Sequence, residues 1–367
     1  MHIYSPYIIL TLITVVLISW FTPKKFSIYA ITLFGVLFLS YYDIRSLIIL
    51  VIMSFASYHI PKKYTFNTKV ILVLIFFISL TFIVFKAIVS FNNAKYLMPL
   101  GLSFYSFRVI HYIFEGYKQK LPKHNFKEYL AYLFFLPTFI VGPINRFQPF
   151  VHDLRARDIS KVNISYALER ILYGYAKIII LSSYIIESKF VSYLDSIKDS
   201  NQALYLYLSP FEYWFNLYFQ FSGYSDIAIG FSALMGFKII ENFNYPFLAK
   251  NISEFWQRWH ISLSKWIKDY VYVPIVSYTR NPFLSILLSL IIFGLWHEFS
   301  LNYILWGLYH AIGISIWHKF QRVKKSNIVI QNITHTKLFY IFSILLTLHF
   351  VVFSFEIREY ILNYLHL

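Results

Sequence analysis

The sequence contains no cysteine, and few of its residues are charged. Only 14% of the 367 residues are Asp, Glu, Lys or Arg, whereas an average soluble domain has about 25%. The missing thiols exclude disulfides, thiolate metal sites, S-palmitoylation and an acyl-cysteine intermediate. Hydrophobic residues make up 58% of the chain and aromatic residues 22%. This composition excludes an ordinary soluble protein and favours a membrane protein.

Apolar runs long enough to cross a bilayer recur along the whole sequence, for example at residues 6–21, 70–85 and 338–355. A core helix of a soluble protein needs only one apolar stripe, but these runs are apolar on every side. They predict an all-α, polytopic transmembrane protein. Together with interrupted, re-entrant stretches they give about ten to eleven membrane segments.

The net charge of +16 could indicate nucleic-acid binding, but the cations do not form one basic arm. They cluster in every second loop between apolar runs, as at Lys24 and Lys25, at 62–69, at 118–127 and at 319–325. This alternation is typical of the excess of Lys and Arg in cytoplasmic loops. It predicts an N-terminus outside the cytoplasm and a first segment that stays as an anchor. No nucleic-acid partner is expected.

The middle of the chain departs from simple spans. Residues 129–143 are apolar but broken by Pro137 and by the Gly142-Pro143 pair, and a strongly basic stretch follows. A re-entrant segment fits both features. Spans are predicted at about 166–186 and 203–221, a hairpin at 283–318 and, between them, an interfacial helix carrying Trp256, Trp259 and Trp266 among charged residues.

The stretch FGLWHEFSLNYILWGLYH, residues 293–310, places ionisable groups at the end of an apolar run. An ionisable side chain inside a membrane span indicates a functional site, so His297 is the first catalytic candidate, expected to be desolvated. The alternative is a neutral imidazole that only bonds to a neighbouring helix. For His310, near Gly307 and Ala311, we expect close helix packing, with the imidazole as a polar contact. His260 is the second catalytic candidate, because two neutral imidazoles beside one cavity can remove a hydroxyl proton near neutral pH.

Other chemistries fit the sequence less well. A zinc site from His297, His310 and His318 has a spacing that matches neither a helix face nor a short metal motif, so no metal is expected. The sequence has no glycine-rich phosphate loop and no G-x-S-x-G motif. The glycines of FSGYSDIAIGFSALMGF, residues 221–237, are expected to serve helix packing, and Asp226 among them needs a partner.

Four blocks of the sequence resemble the membrane-bound O-acyltransferase (MBOAT) family, in its bacterial branch of alginate O-acetylases and D-alanyl transfer proteins. They are PLGLSFYSFRVIHYIFEGY at 99–117, FLPTFIVGPINRF at 135–147, the long block at 221–275, and GLWHEFSLNYILWGLYHAIG at 294–313. The resemblance implies a ring of tilted helices around a central tunnel. The acyl donor would enter that tunnel from the cytoplasm and the acceptor hydroxyl from the other side.

The resemblance also implies site residues. The family's most widely shared histidine, in a tryptophan–histidine pair, corresponds to His297 with Trp296, and a second family position corresponds to His260. The substrate-binding candidates are Trp296, then Asn242, Asn244 and Arg258 as contacts to the donor, and Asp226, which favours the polysaccharide O-acetylases. The chain differs from the family pattern at Glu298, where glycine is common, and at VSYTRNPF, residues 276–283.

The function predicted from these features is transfer of an acetyl or other short acyl group from a thioester to hydroxyls of a cell-envelope or secreted polysaccharide. No bound cofactor is expected. The donor would be acetyl-CoA or a carrier-protein thioester on the cytoplasmic side, and the partners would be membrane lipid, the polysaccharide and envelope acetylation proteins. The expected location is the bacterial cytoplasmic membrane. Two alternatives remain open: D-alanyl transfer from a carrier-protein thioester, and a transporter or flippase.

One domain is predicted for residues 1–367. It would consist of N-terminal spans at 1–117, a catalytic core at 118–318, and a basic cytoplasmic loop with a last span at 319–367.

Overall fold

The computed structural model describes residues 6–92 and 95–357, and within these ranges every regular element is helical. The predicted all-α class is therefore confirmed. The chain divides into two compact units, Met1–Ile180 with Phe219–Glu241 and Leu181–Tyr218 with Asn242–Leu367. The predicted single domain of 1–367 also includes residues 1–5, 93–94 and 358–367, which lie outside the described ranges, and it stays a prediction.

The first unit contains the N-terminal helices. These are α1 (Pro6–Phe21), α2 (Lys24–Tyr42), α3 (Ile44–Lys63), α4 (Thr68–Asn92), α5 (Leu102–Tyr117), α6 (Phe126–Leu133), α7 (Phe147–Ala156) and α8 (Ile164–Ala176). A π-helical stretch, Lys177–Phe190, continues α8 and leads to α9 (Val191–Ile197). The long helix α10 (Gln202–Leu234) follows, with its C-terminal part in the first unit.

The second unit contains α9, the N-terminal part of α10 and the remaining helices. These are α11 (Ile252–Arg258), α12 (Ile261–Ile267), a π-helical turn at Lys268–Tyr272, α13 (Val273–Thr279), α14 (Pro282–His297), α15 (Leu301–Ser326), α16 (Ile328–Thr334) and α17 (Lys337–Val352).

Several helices have the length and composition of membrane spans. Among the described residues four qualify, Lys25–Tyr42, Ile44–Lys63, Thr68–Phe91 and Ile164–Ile197, and the bent pair α16–α17 would make a fifth. Helix α4 exposes large apolar side chains on its outside, including Phe76 at 60% and Phe77 at 59%. The multi-pass character is therefore confirmed. The predicted ten to eleven segments include shorter helices such as α1 and α14, which have 16 residues each. A helix of that length rises about 24 Å, less than the roughly 30 Å of a bilayer core.

The break predicted in residues 129–143 is present. Helix α6 ends at Leu133, a short 3₁₀ turn contains Pro137, and α7 begins only at Phe147. The fully buried Arg108 of α5 supports this irregular backbone. Its guanidinium donates to the carbonyls of Tyr132 and Leu133 at 3.1 Å and to that of Thr138 at 2.5 Å. Non-helical backbone in apolar surroundings requires such donors, because no water is there to bond its carbonyls.

Helices α8 and α10 are in close contact within the first unit. Gly174 and Gly223 meet backbone to backbone, since a Cβ built on Gly223 would lie 2.7 Å from the Gly174 carbonyl oxygen. The packing role predicted for the glycines at 223 and 230 is therefore confirmed. The predicted span at about 203–221 lies within α10. Helix α10 continues to Leu234, because the glycines that could have ended it face another helix.

The predicted interfacial helix at 238–280 was wrong in one respect. The part of this segment in the second unit, residues 242–280, forms three short helices. Its three indoles are buried: Trp256 is 8% exposed, and Trp259 and Trp266 are 5% exposed. They pack inside the protein, as in the stacked pair Trp259–Phe255. The tryptophan pattern that suggested a headgroup anchor belongs to the core of this unit.

Candidate functional site

The site begins at the turn between α14 and α15. Helix α14 starts at Pro282, with the Asn281 side chain accepting from the Leu284 N–H at 3.1 Å, and runs through an apolar sequence to His297. Glu298 ends the helix by adopting extended backbone, and α15 begins at Leu301. His297 is thus the last residue of its helix, beside a three-residue turn.

Two glycines bring α14 and α15 close together. A Cβ on Gly294 would lie 2.1 Å from the carbonyl oxygen of Tyr303, and one on Gly307 would lie 2.5 Å from that of Leu290. No larger residue fits at either position without a shift of backbone. This contact confirms the predicted hairpin and holds the end of α14 against the first two turns of α15.

The His297 ring lies among aromatic side chains from both helices of the hairpin. Its centroid is 4.5 Å from that of Trp296 and 5.7 Å from those of Tyr303 and Trp306, and the Tyr303 ring is stacked on it. The side chain is nevertheless exposed. The helix ends at this residue and leaves one side of the ring uncovered by protein. Desolvation of this imidazole stays a prediction.

His260, in contrast, is 1% exposed and lies at the junction of α11 and α12. Its backbone has φ 43° and ψ 53°, a left-handed conformation that is uncommon for residues other than glycine. The ring Nδ1 lies 3.0 Å from Oδ1 of Asn242. His260 therefore lies on a constrained turn of the backbone, and one of its ring nitrogens is hydrogen-bonded to Asn242.

The structure brings the two predicted catalytic histidines together around one indole. The Trp296 centroid is 6.1 Å from that of His260 and 4.5 Å from that of His297. All three residues belong to the second unit. The arrangement offers two proton-accepting groups beside one accessible ring surface.

The other predicted substrate contacts near these histidines are engaged with protein groups. Asn242 is fully buried, with its side-chain oxygen bonded to His260 and to Ser262. Arg258 pairs with Glu254 at 2.6 Å, as expected for charges four residues apart on a helix. Asn244 is exposed, and its N–H donates to the carbonyl of Arg258. Substrate binding by these three residues stays a prediction.

Asp226 lies in the first unit, and its buried carboxylate is paired with two cations, as the sequence predicted. It is 5% exposed, one carboxylate oxygen pairs with Arg170, and the other lies 2.6 Å from Nζ of Lys177. Arg170 also pairs with Glu241 at 2.8 Å. This carboxylate joins α10 to α8, so its predicted contact with substrate has no support from its position.

His310 is closely packed as the sequence predicted, but the polar contact expected of its imidazole is absent among the described residues. Its side chain is fully buried among aromatic rings, with centroids 4.7 Å from Trp306 and 5.2 Å from Trp256. Neither ring nitrogen has a hydrogen-bond partner among the described residues. The described residues also contain no group of three or more His, Cys, Asp or Glu side chains placed to hold a metal ion.

Sequence reasoning missed the supporting residues of the site. Tyr303 and Trp306 contact His297, and Ser262 shares the Asn242 oxygen with His260. The i, i+3 spacing of Tyr303 and Trp306 at the start of a helix was a usable signal. Arg170 and Lys177 were another, since cations seven residues apart in an apolar run share a helix face and imply a buried acid nearby.

Comparison with known proteins places these features in a family. The chain is 36% identical over 234 residues to the probable alginate O-acetylase AlgI of Pseudomonas aeruginosa, covering 60% of this chain and 42% of that protein. It is 33% identical over 284 residues to the teichoic acid D-alanyltransferase of Bacillus subtilis, covering 70% and 68%. With the peptidoglycan O-acetyltransferase of Helicobacter pylori it shares 28% identity over 266 residues, covering 64% and 50%.

The chain therefore spans about two fifths of the length of the alginate O-acetylase, and more of the D-alanyltransferase. A sequence model of the MBOAT, membrane-bound O-acyltransferase, family matches residues 114–356, which include both histidines and the hairpin that carries His297. This match covers more than half of the chain and agrees with the resemblance of its four sequence blocks. The chain belongs to the membrane-bound O-acyltransferase family.

Proposed function

We propose that this chain transfers an acetyl or other short acyl group from a thioester to hydroxyls of a cell-envelope or secreted polysaccharide. The observation that carries the proposal is the meeting of His260 and His297 around Trp296, within the residues matched to the family. Acyl transfer to an alcohol needs a proton acceptor beside an accessible surface, and these residues supply one. The names of the relatives support an envelope polymer as acceptor.

In the proposed reaction His297 acts as general base. Its exposed imidazole takes the proton of the acceptor hydroxyl as the hydroxyl oxygen attacks the thioester carbonyl. The carbon–sulfur bond then breaks, and the proton passes from the imidazolium to the departing thiolate. General base catalysis typically contributes about 10²–10⁴-fold. Holding donor and acceptor together at the ring supplies the remainder.

The donor and the setting complete the proposal. The donor is acetyl-CoA or a carrier-protein thioester reaching the site from the cytoplasm, and envelope acetylation proteins are further partners. The chain would lie in the cytoplasmic membrane of a bacterium. The alternating basic loops of the sequence support this orientation.

The test replaces His297 by Gln and measures acetyl groups on the envelope glycan by mass spectrometry. We expect acetylation to fall at least about a hundredfold, with unchanged membrane abundance of the protein. The matched control is His335→Gln, because His335 is exposed in the short connection before α17. Normal acetylation by an abundant His297→Gln variant would remove His297 from the chemistry.

D-alanyl transfer remains the second candidate, because the chain covers 68% of the teichoic acid D-alanyltransferase of Bacillus subtilis. The same mass spectra separate the two candidates. An alanyl group has a different mass from an acetyl group, and it adds a primary amine to the polymer. Loss of alanyl groups in the His297→Gln strain would establish this second candidate in place of acetylation.

A further inference from the structure

The side-chain oxygen of Asn242 faces three neighbouring groups. It lies 3.0 Å from Nδ1 of His260, 2.9 Å from the hydroxyl oxygen of Ser262 and 3.3 Å from the backbone nitrogen of Ser262. All of these groups are buried, with His260 1% exposed and the other two fully buried. A single carbonyl oxygen is thus the common acceptor of this cluster.

The backbone N–H of Ser262 decides which way the amide faces. It can only donate a hydrogen bond, so the atom of Asn242 that faces it must be the oxygen. The same oxygen faces Nδ1 of His260, and an amide oxygen can only accept. Nδ1 must therefore carry the proton. In a neutral imidazole this leaves the lone pair on Nε2.

The surrounding backbone fixes this arrangement. The carbonyl of Asn242 accepts from the N–H of Ile261 at 2.9 Å, and the N–H of Asn244 donates to the carbonyl of Arg258 at 2.9 Å. These two bonds tie residues 242–244 to the turn on which His260 has its left-handed conformation. Uncommon backbone conformations persist where the surroundings over-determine them, and they concentrate at functional sites.

We propose that Asn242 is a positioning residue that holds His260 as the Nδ1–H tautomer, with Nε2 as an acceptor-only atom for the substrate. This inference rests on the proposed function for its meaning in catalysis. In this state Nε2 of the neutral His260 carries no hydrogen, so it cannot donate a hydrogen bond to the oxyanion of the reaction. It accepts one instead, so its partner is a hydroxyl of the acceptor. An acceptor with neighbouring hydroxyls, such as a sugar, then places one on His260 and the attacking one on His297.

The first test reads the tautomer without requiring any acyl transfer. Nitrogen-15 NMR of the ring nitrogens in the full-length chain, labelled at its 12 histidines, reports which nitrogen carries the proton. A His260→Gln spectrum assigns the signal. We expect the Nδ1–H form in the wild type and in Asn242→Asp, which keeps an acceptor oxygen, and a changed tautomer ratio in Asn242→Leu. An Nε2–H form in the wild type overturns the inference.

The second test measures acyl transfer as acceptor concentration is varied. Asn242→Leu is expected to raise the acceptor KM about tenfold or more, the effect of losing one positioned hydrogen bond, and Asn242→Asp to restore it. The control is Asn327→Leu, which removes a helix-capping asparagine of the same unit and is expected to leave KM unchanged.

An unchanged KM in a folded Asn242→Leu variant would contradict the inference while leaving the proposed function intact. Absence of any transfer by the wild type would defeat the proposed function, and the NMR result would still decide the tautomer.

Discussion

At the scale of single residues, His297 and His260 contact the same indole but have different surroundings. His297 ends a helix and is exposed, which gives substrate access to its ring. His260 is buried and bonded to Asn242, which restricts its protonation and orientation. The two rings are therefore suited to different tasks, one to proton transfer at an open surface and the other to holding an acceptor group.

His310 provides the contrast of a buried histidine without a hydrogen bond among the described residues. His310→Phe is expected to keep or raise thermal stability, because it removes an unpaired polar ring from a cluster of aromatic side chains. His260→Phe should cost about 1–3 kcal/mol, since it leaves the Asn242 oxygen without that donor. Thermal unfolding of the detergent-solubilised variants checks both values. A His310→Phe variant that unfolds more readily than His260→Phe would show that His310 has a polar partner.

The sequence was sufficient to select His297 and His260 because both are ionisable groups in strongly apolar contexts. It could not assign a role to Asn242. That role depends on a turn which brings position 242 against position 260, and no spacing rule covers an amide and an imidazole 18 residues apart. The exposure of His297 could not be predicted from the sequence either, because it depends on where α14 ends.

At the scale of elements, the α14–α15 hairpin positions the candidate base. Gly294→Ala is expected to destabilise the protein by about 1–3 kcal/mol and to lower transfer, because the new Cβ would meet the backbone of Tyr303. Gly313→Ala is the matched control on the same hairpin. The atom nearest to its Cβ would be Cζ at the far end of the Phe350 side chain, at 2.5 Å, rather than a backbone atom. Thermal unfolding and transfer assays check the pair, and equal behaviour of the two variants would contradict this account of the hairpin.

Ion pairs as well as glycine packing hold α8 and α10 together. Asp226→Asn is expected to cost about 3 kcal/mol or more, because it leaves the cations of Arg170 and Lys177 without their shared carboxylate. Glu241→Gln should cost less than about 1 kcal/mol, since that carboxylate is 48% exposed and pairs only with Arg170 among the described ion pairs. Thermal stability separates the two variants. A stable Asp226→Asn protein with impaired transfer would restore the substrate-binding role predicted for Asp226.

Periodicity and composition were sufficient to predict the helical class, the broken segment at 129–143 and the hairpin. The extent of α10 was not predictable, because glycines and a proline within an apolar run can either end a helix or serve its packing. Pro210 lies inside α10, and Gly223 lies at its contact with α8. Tryptophans interleaved with charges were similarly ambiguous, since a buried core and a membrane interface both use them.

At the scale of the whole molecule, the charge pattern predicts the orientation in the membrane. The absence of cysteine makes every introduced thiol the only one in the chain. Lys123→Cys lies in the basic loop at 118–127, which is predicted to be cytoplasmic. Lys198→Cys lies between the predicted spans at 166–186 and 203–221, where the alternation predicts an outer loop, and both positions are exposed. A membrane-impermeant maleimide applied to intact spheroplasts should label position 198 and reach position 123 only after permeabilisation. Labelling in the opposite order would reverse the topology and place the donor on the other face.

The central claim is that an acyl group passes from a thioester to a hydroxyl beside His297 and His260. The most direct measurement uses the purified chain in sealed vesicles, with labelled acetyl thioester on the cytoplasmic face and an oligosaccharide acceptor on the other. The account predicts a labelled ester on the oligosaccharide with the wild type, and almost none with His297→Gln. Equal labelling by both proteins, or movement of oligosaccharide across the membrane without any donor, would contradict it.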